Sequence, residues 1–132
     1  MVAVVLVVII GIAVLRVGNG GEDNWIKDER GVYVKHGNPA ETPSIVSEQQ
    51  DLIARVMDLY NQKKTEGMHF SSQCLGSVDD YAVDIVHVPR SAEDEKTENQ
   101  CEDFRNRIVS HFIELDEYGE IVRIVWVYLP FN

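Results

Sequence analysis

The sequence predicts an α+β domain in which one helix packs on a curved antiparallel sheet of four or more strands, behind a hydrophobic N-terminal helix. Three observations carry that prediction. Apolar residues between Leu52 and Tyr60 recur at helical spacing. Two pairs of strand-like runs follow, each pair joined by a turn. Fourteen of the first fifteen residues are apolar, with only Gly11 interrupting. A chain of 132 residues suits one domain with a tail.

The N-terminal run, Met1 to Leu15, covers roughly 22 Å as a helix, short of the ~30 Å hydrocarbon core unless Arg16 snorkels and Val17 joins it. Residues 1–17 therefore read as a signal anchor or a signal peptide. No Lys or Arg precedes the run, where the α-amino group alone would supply the charge, and no A-x-A site follows it; the missing cleavage site favours an uncleaved anchor. Nine of the fifteen residues are Val or Ile, so a buried strand or a segment packed between subunits is the alternative. Gly18-Asn19-Gly20-Gly21 then forms a flexible stalk.

Residues 18–43 hold that stalk and a short hairpin, with strands at Asn24–Lys27 and Gly31–Lys35 around a turn at Asp28–Gly31. Gly37-Asn38-Pro39 and Pro43 mark a loop. Residues 44–132 form the main domain. Ser47-Glu48-Gln49-Gln50 has the form of a capping box, and Leu52, Ile53, Val56, Met57 and Tyr60 share the face of the helix it opens. Lys63-Lys64 suits the last turn, and Gly67 closes it. Strands follow at Met68–Leu75 and Tyr81–Val88, around a turn at Gly76–Asp80. A polar, acidic stretch from Arg90 to Arg107 separates them from strands at Ile108–Leu115 and Glu120–Leu129, where Gly119 suits a left-handed turn position.

That element order resembles the cystatin-like roll over residues 44–129, a fold shared by protease inhibitors, secretion-system domains and, in related rolls, small enzymes. The inhibitors' Q-x-V-x-G hairpin is not matched, because Gln73-Cys74-Leu75-Gly76 is one residue short and carries a cysteine. A second, local resemblance runs through Asp23-Asn24-Trp25-Ile26, Gly31 and Val34-Lys35-His36-Gly37-Asn38-Pro39. It is similar to a DNWxC…G.WVKHGNP segment of membrane-anchored or secreted prokaryotic, largely archaeal, proteins. Lys27 stands where that segment has cysteine, and Tyr33 where it has a second tryptophan. The resemblance implies an extracytoplasmic module and no particular activity.

Charge narrows the partners. The chain carries 12 basic and 22 acidic side chains, a net −10; Arg16 is the one charge in the first twenty residues, so the remainder holds 11 against 22, a net −11. Lys63-Lys64 is the only basic doublet, which argues against nucleic acid, and an acidic globule is repelled by anionic membrane surfaces. The membrane is met through residues 1–17, and a protein partner is the remaining candidate. Cys74 and Cys101, an even pair in a chain that reads as exported, suggest one disulfide.

Candidate chemistry centres on histidines. By strand alternation Tyr81, Val83, Ile85 and His87 share one face, as do Val109, His111, Ile113 and Leu115. His87 and His111 then point inward on neighbouring strands, as core residues or as a titratable pair. Asp84, Ser110, Glu114 and Arg123 fall on the opposite faces, where Asp84 is a candidate acid and Arg123 a cross-strand partner of Glu114. His36 reads as a loop residue. The acidic insert at residues 93–103 lacks the D-x-D-x-D-G spacing of a Ca²⁺ loop and reads as solvated. No metal or cofactor site is expected, since no nucleotide, zinc or serine-hydrolase motif occurs in the sequence. Trp126, Tyr128 and Phe131 form an aromatic C-terminus, an interaction patch if exposed. The leading expectation is a membrane-anchored or secreted extracytoplasmic binding domain. A small enzyme or ligand-binding roll using His87, His111 and Asp84, and a subunit of a surface filament, are the alternatives.

Overall fold

A computed structural model describes residues 23–126. The expected N-terminal helix of residues 1–17 and the aromatics Tyr128 and Phe131 lie outside the described residues. Among the described residues no helix is long and apolar enough to cross a membrane.

The chain opens with an antiparallel hairpin, β1 (Asn24–Lys27) and β2 (Tyr33–His36). Asp28 builds its turn by accepting the backbone N–H groups of Arg30 and Val32 on one carboxylate oxygen, at 2.9 and 3.0 Å. Gly31 follows at φ +84°, with its Cα facing the Ile124 carbonyl so closely that a Cβ would sit 2.6 Å from that oxygen. The hairpin is fastened through one buried side chain: Gln49 accepts from the Tyr33 N–H and donates to the Gly31 carbonyl, both at 2.8 Å.

Helix α1 (Ser44–Thr65) begins one turn earlier than the Ser47 capping box suggests. Pro43 supplies the preset φ of −57°, and its carbonyl accepts from the Val46 and Ser47 N–H groups, so Ser47 is already inside the first turn. Val46, Gln49, Leu52, Val56 and Tyr60 form the buried face, with Ile53 and Met57 packed beside it. The helix ends as expected: Gly67 at φ +85° and Met68 donate back to the Lys64 and Lys63 carbonyls at 3.1 Å, satisfying the last turn.

Four strands follow, β3 (Gln73–Val78), β4 (Tyr81–Ile85), β5 (His111–Leu115) and β6 (Ile121–Trp126), lying side by side in sequence order. β3/β4 and β5/β6 are the two expected antiparallel pairs. β4 and β5 run parallel, with Tyr81 beside His111 and Ile85 beside Leu115, so the sheet is mixed and departs from the wholly antiparallel roll expected. The physical reason is the stretch between them. Parallel neighbours need a crossover of a dozen or more residues, and residues 86–110 are that crossover: they take in the polar stretch expected at Arg90–Arg107 and the ends of the strands expected to reach Val88 and to start at Ile108. The near-continuous apolar run of β4 fits a strand covered on both faces.

Strand limits shift accordingly. Residues 68–72 lie outside β3, and Phe70 stacks on Tyr60 at 4.6 Å instead. Gly76, expected in a turn, sits in β3 at a bulge that leaves Leu75 without a partner, and the turn is formed at Asp79-Asp80. The last turn behaves as expected: Asp116 accepts from the Tyr118 and Glu120 N–H groups, and Gly119 takes φ +84°.

One face of the sheet packs on α1. Leu75, Tyr81, Val83, Ile85, Ile113, Leu115 and Ile124 meet Leu52, Val56 and Tyr60 there. The crossover covers the other face. It contains two 3-10 turns (Ala92–Glu95 and Thr97–Asn99) and a single helical turn, α2 (Glu102–Arg105), and buries Cys101 and Val109 against Ala82.

Candidate functional site

Parallel pairing decides where the sequence candidates go. His111 at the start of β5 lies beside Tyr81, whereas His87 is six positions further along, about 20 Å at the usual strand rise. The expected inward pair is therefore not formed. His111 is on the helix side, its ring 5.0 Å from that of Tyr81 and 4.8 Å from that of Trp126, with Nε2 3.4 Å from an Asp80 carboxylate oxygen. His87 has left the strand and belongs to the crossover. Its Nδ1 lies 3.0 Å from Asp94 Oδ1 and 2.9 Å from Ser91 Oγ. Ser91 and Asp94 both meet the same ring nitrogen, so the trio does not form a nucleophile–base–acid relay, which needs two ring nitrogens.

Asp94 is the anchor of that corner. It is 3% exposed and accepts the backbone N–H groups of His87 and Ser91. Burial pushes its carboxyl up, but the Ser91 and His87 donors outweigh burial and hold it below the usual carboxylate range.

A row of four side chains crosses the sheet on the face away from α1. Cys74 on β3 is opposite Asp84 on β4, Asp84 is beside Glu114 on β5, and Glu114 is opposite Arg123 on β6. Strand alternation had placed Asp84, Glu114 and Arg123 on this face. Ser110 lies apart, just ahead of β5, bonded to Asp80. Arg123 grips Glu114 with two parallel hydrogen bonds, Nε to Oε2 at 2.7 Å and Nη2 to Oε1 at 3.0 Å. This is the expected cross-strand pair, but it is not the expected surface pair. Glu114 is 4% exposed, and Arg90 reaches down from the crossover to put Nη1 within 3.1 Å of both its oxygens. Arg90 is in turn paired with Glu95.

Asp84 has no such counter-ion among the described residues. Its Oδ1 accepts the Cys101 N–H at 3.1 Å. Burial pushes its carboxyl from an ordinary 3.8 up to about 6, and the neighbouring Glu114 charge adds to that, against the Cys101 N–H and the Arg90 guanidinium, which lower it. Asp84, Glu114, Arg90 and Arg123 line a cavity of about 170 Å³ whose apolar wall is Phe104 and Phe112. The two rings meet edge to face at 5.1 Å, and the Arg123 guanidinium lies 5.2 Å over Phe112. The arrangement is an acid and two guanidinium edges set around a small, half-open space.

The expected disulfide is formed. Cys74 and Cys101 join β3 to the crossover, with Cα atoms 4.7 Å apart. Both sulfurs and an Asp84 carboxylate oxygen lie within 4.8 Å of one another, the spacing of a metal triad, but the S–S bond occupies both sulfurs. The acids of the insert serve local ends: Glu93 pairs with Lys96, and Asp103 accepts from Ser77 Oγ. Trp126 is 51% exposed and, with Tyr33 and Tyr81, borders a second, more apolar groove.

Arg90, Ser91 and Asp94 were not singled out from sequence. Ser91-Ala92-Glu93-Asp94 has the S-x-x-D form of a capping box, which the structure uses at the first 3-10 turn, and that signal was there to be read. Nothing local distinguishes Arg90, whose partner Glu114 is 24 residues away. No protein-family model, curated protein or solved structure matches this chain.

Proposed function

We propose that this chain is an extracytoplasmic binding domain, tethered to the membrane by residues 1–17, whose charged cavity receives a small donor-bearing group of a ligand or protein partner. The observation that carries the reading is the cavity itself: a carboxyl without a counter-ion among the described residues and two shared guanidiniums, beneath a crossover held by a disulfide. Disulfides persist in oxidising compartments, which supports a location outside the cytoplasm. The uncompensated Asp84 favours a partner that brings N–H donors, and Phe104 and Phe112 favour one with a short apolar flank. His87, Asp84 and His111 occupy three separate places, so the reading assigns them no joint catalytic role. It also does not rest on the helix-then-hairpins likeness to the cystatin-like roll, whose inhibitory hairpin is missing here.

Two measurements test it. Protease added to spheroplasts should digest the domain, and its cysteines should resist alkylation until reduced. A protein recovered soluble from the cytoplasm with both thiols free overturns the location. Amide chemical shifts titrated with ethylammonium should move at Asp84, Cys101 and Glu114. Shifts confined to other residues, or none at millimolar probe, overturn the binding site.

A further inference from the structure

We propose that Cys74–Cys101 is an exchange-active disulfide and that Asp84 is its proton relay. The row on the sheet puts this carboxyl directly opposite Cys74, and the Cys101 backbone N–H holds it in place. A carboxyl oxygen and the two sulfurs lie within 4.8 Å of one another. A disulfide that only braces a loop needs no acid beside it, and among the described residues Asp84 is the one group there whose proton is shared with no ion-pair partner. The sulfurs are also unequal. Cys101 is 1% exposed, whereas Cys74, on the edge strand β3, is only half-buried. An incoming thiolate therefore meets Cys74, and Cys101 is the leaving group.

Exchange with a small thiol takes two displacements at sulfur. The thiolate sulfur bonds to Cys74 Sγ, the Cys74–Cys101 bond breaks, and its electron pair leaves on Cys101 Sγ. The Asp84 carboxyl gives its proton to that buried sulfur, leaving an Asp84 carboxylate and a Cys101 thiol with the Val83 carbonyl oxygen 3.4 Å away as acceptor. A second thiolate attacks the sulfur added to Cys74, releasing the Cys74 thiolate and a disulfide of the two small thiols. Two thiols are oxidised and the protein disulfide takes up their two electrons. In the oxidising direction the Asp84 carboxylate removes the Cys101 proton, and the Cys101 thiolate attacks Cys74 Sγ of the mixed disulfide and expels the small thiolate.

Burial holds Asp84 near 6, where a carboxyl can both give and take a proton near neutrality. The other charged groups facing it are Glu114 on β5, Arg123 on β6, and Arg90, Asp94 and Glu95 on the crossover. Both arginines are held by Glu114, and Arg90 by Glu95 as well, so the pH response of exchange belongs to Asp84.

The test uses the full chain in mild detergent, reduced and then mixed with oxidised glutathione, quenched by acid and resolved by mass spectrometry. Glutathione should be trapped on Cys74 and not on Cys101. Closure of that mixed disulfide should rise with pH through Asp84's titration near 6. Asp84→Asn should slow closure about 100-fold at pH 6.5 and shift the profile to thiol ionisation alone, with the deficit disappearing above pH 9. An unchanged rate and profile in Asp84→Asn overturns the relay. Glutathione on Cys101, or exchange that proceeds only at the global unfolding rate, overturns the exchange-active disulfide in the wild-type chain without recourse to any variant. Both readings use Asp84, but binding is read by the ethylammonium titration of the oxidised chain and exchange by the glutathione adducts of the reduced one, so either can fail alone.

Discussion

Replacing Asp84 with Asn should stabilise this protein at neutral pH, although it alters a buried hydrogen-bonded residue. Asn keeps the shape and an oxygen for the Cys101 N–H, which Asp84 accepts at 3.1 Å. What it removes is an ionised group without a counter-ion among the described residues. Burial raises Asp84 from 3.8 to about 6, so the folded state binds this proton more tightly than the unfolded chain. The carboxyl is thus neutral and harmless below about pH 4. As pH rises through 6 the unfolded chain has already ionised while the folded state resists, and stability is lost. A rise from 3.8 to about 6 corresponds to about 3 kcal/mol of destabilisation above pH 7. Asp84→Asn should therefore gain about 2–3 kcal/mol at pH 7.5 and nothing at pH 3.5. Urea unfolding of both proteins across that range, followed by tryptophan fluorescence, measures the difference. Other carboxylates titrate in both proteins and cancel. An Asn variant no more stable than wild type at pH 7.5, or a gain that persists at pH 3.5, refutes the claim that Asp84 is buried and uncompensated.

Three further outcomes are expected. Arg123→Met leaves Glu114 held by Arg90 and should cost about 1–2 kcal/mol in urea unfolding; the Arg90→Met/Arg123→Met double variant, with the carboxylate stranded, should cost about 3–5 kcal/mol, more than the two single costs added. Gln49→Ala orphans the Tyr33 N–H and the Gly31 carbonyl, so it should cost about 1–3 kcal/mol and speed amide exchange at Tyr33 in native-state hydrogen exchange. Asp94→Ala removes an acceptor whose stabilisation is present above the ordinary Asp range and lost as pH falls through its depressed native value; its deficit in thermal unfolding should be full at pH 6 and shrink towards pH 2.

Local signals were legible in the sequence because their physics is local. Gly67 and Gly119 announce left-handed positions, strand alternation separates Val83 from Asp84, and the spacing of Leu52, Val56 and Tyr60 fixes the buried face of α1. The direction of β5 was not legible, because parallel and antiparallel pairing present the same alternation along a strand. The one distinguishing cue was the length of residues 86–110, which suits a crossover better than a turn. Antiparallel pairing would bring His87 and His111 together; the parallel pairing separates them and opens the charged cavity, whose Arg90 comes from the crossover. Gln49 escaped notice for a related reason: a polar residue on a helix reads as exposed until the backbone groups it satisfies, Tyr33 N–H and Gly31 C=O, are known.

The buried polar row also explains how a mixed sheet with so apolar a central strand keeps one register. Tyr81, Ala82, Val83 and Ile85 of β4, and Val86 just after it, are all buried, so hydrophobicity alone barely separates the two faces of this strand. A slip of one residue against β5 would exchange those faces at little apolar cost. Asp84 and Glu114 remove that freedom. In the observed register they stand side by side beneath the crossover, where Arg90, Arg123 and the Cys101 N–H reach them. After a one-residue slip of β5, Glu114 would enter the helix-side positions now held by Ile113 and Leu115, against Val56 and Tyr60, with no donor to meet it.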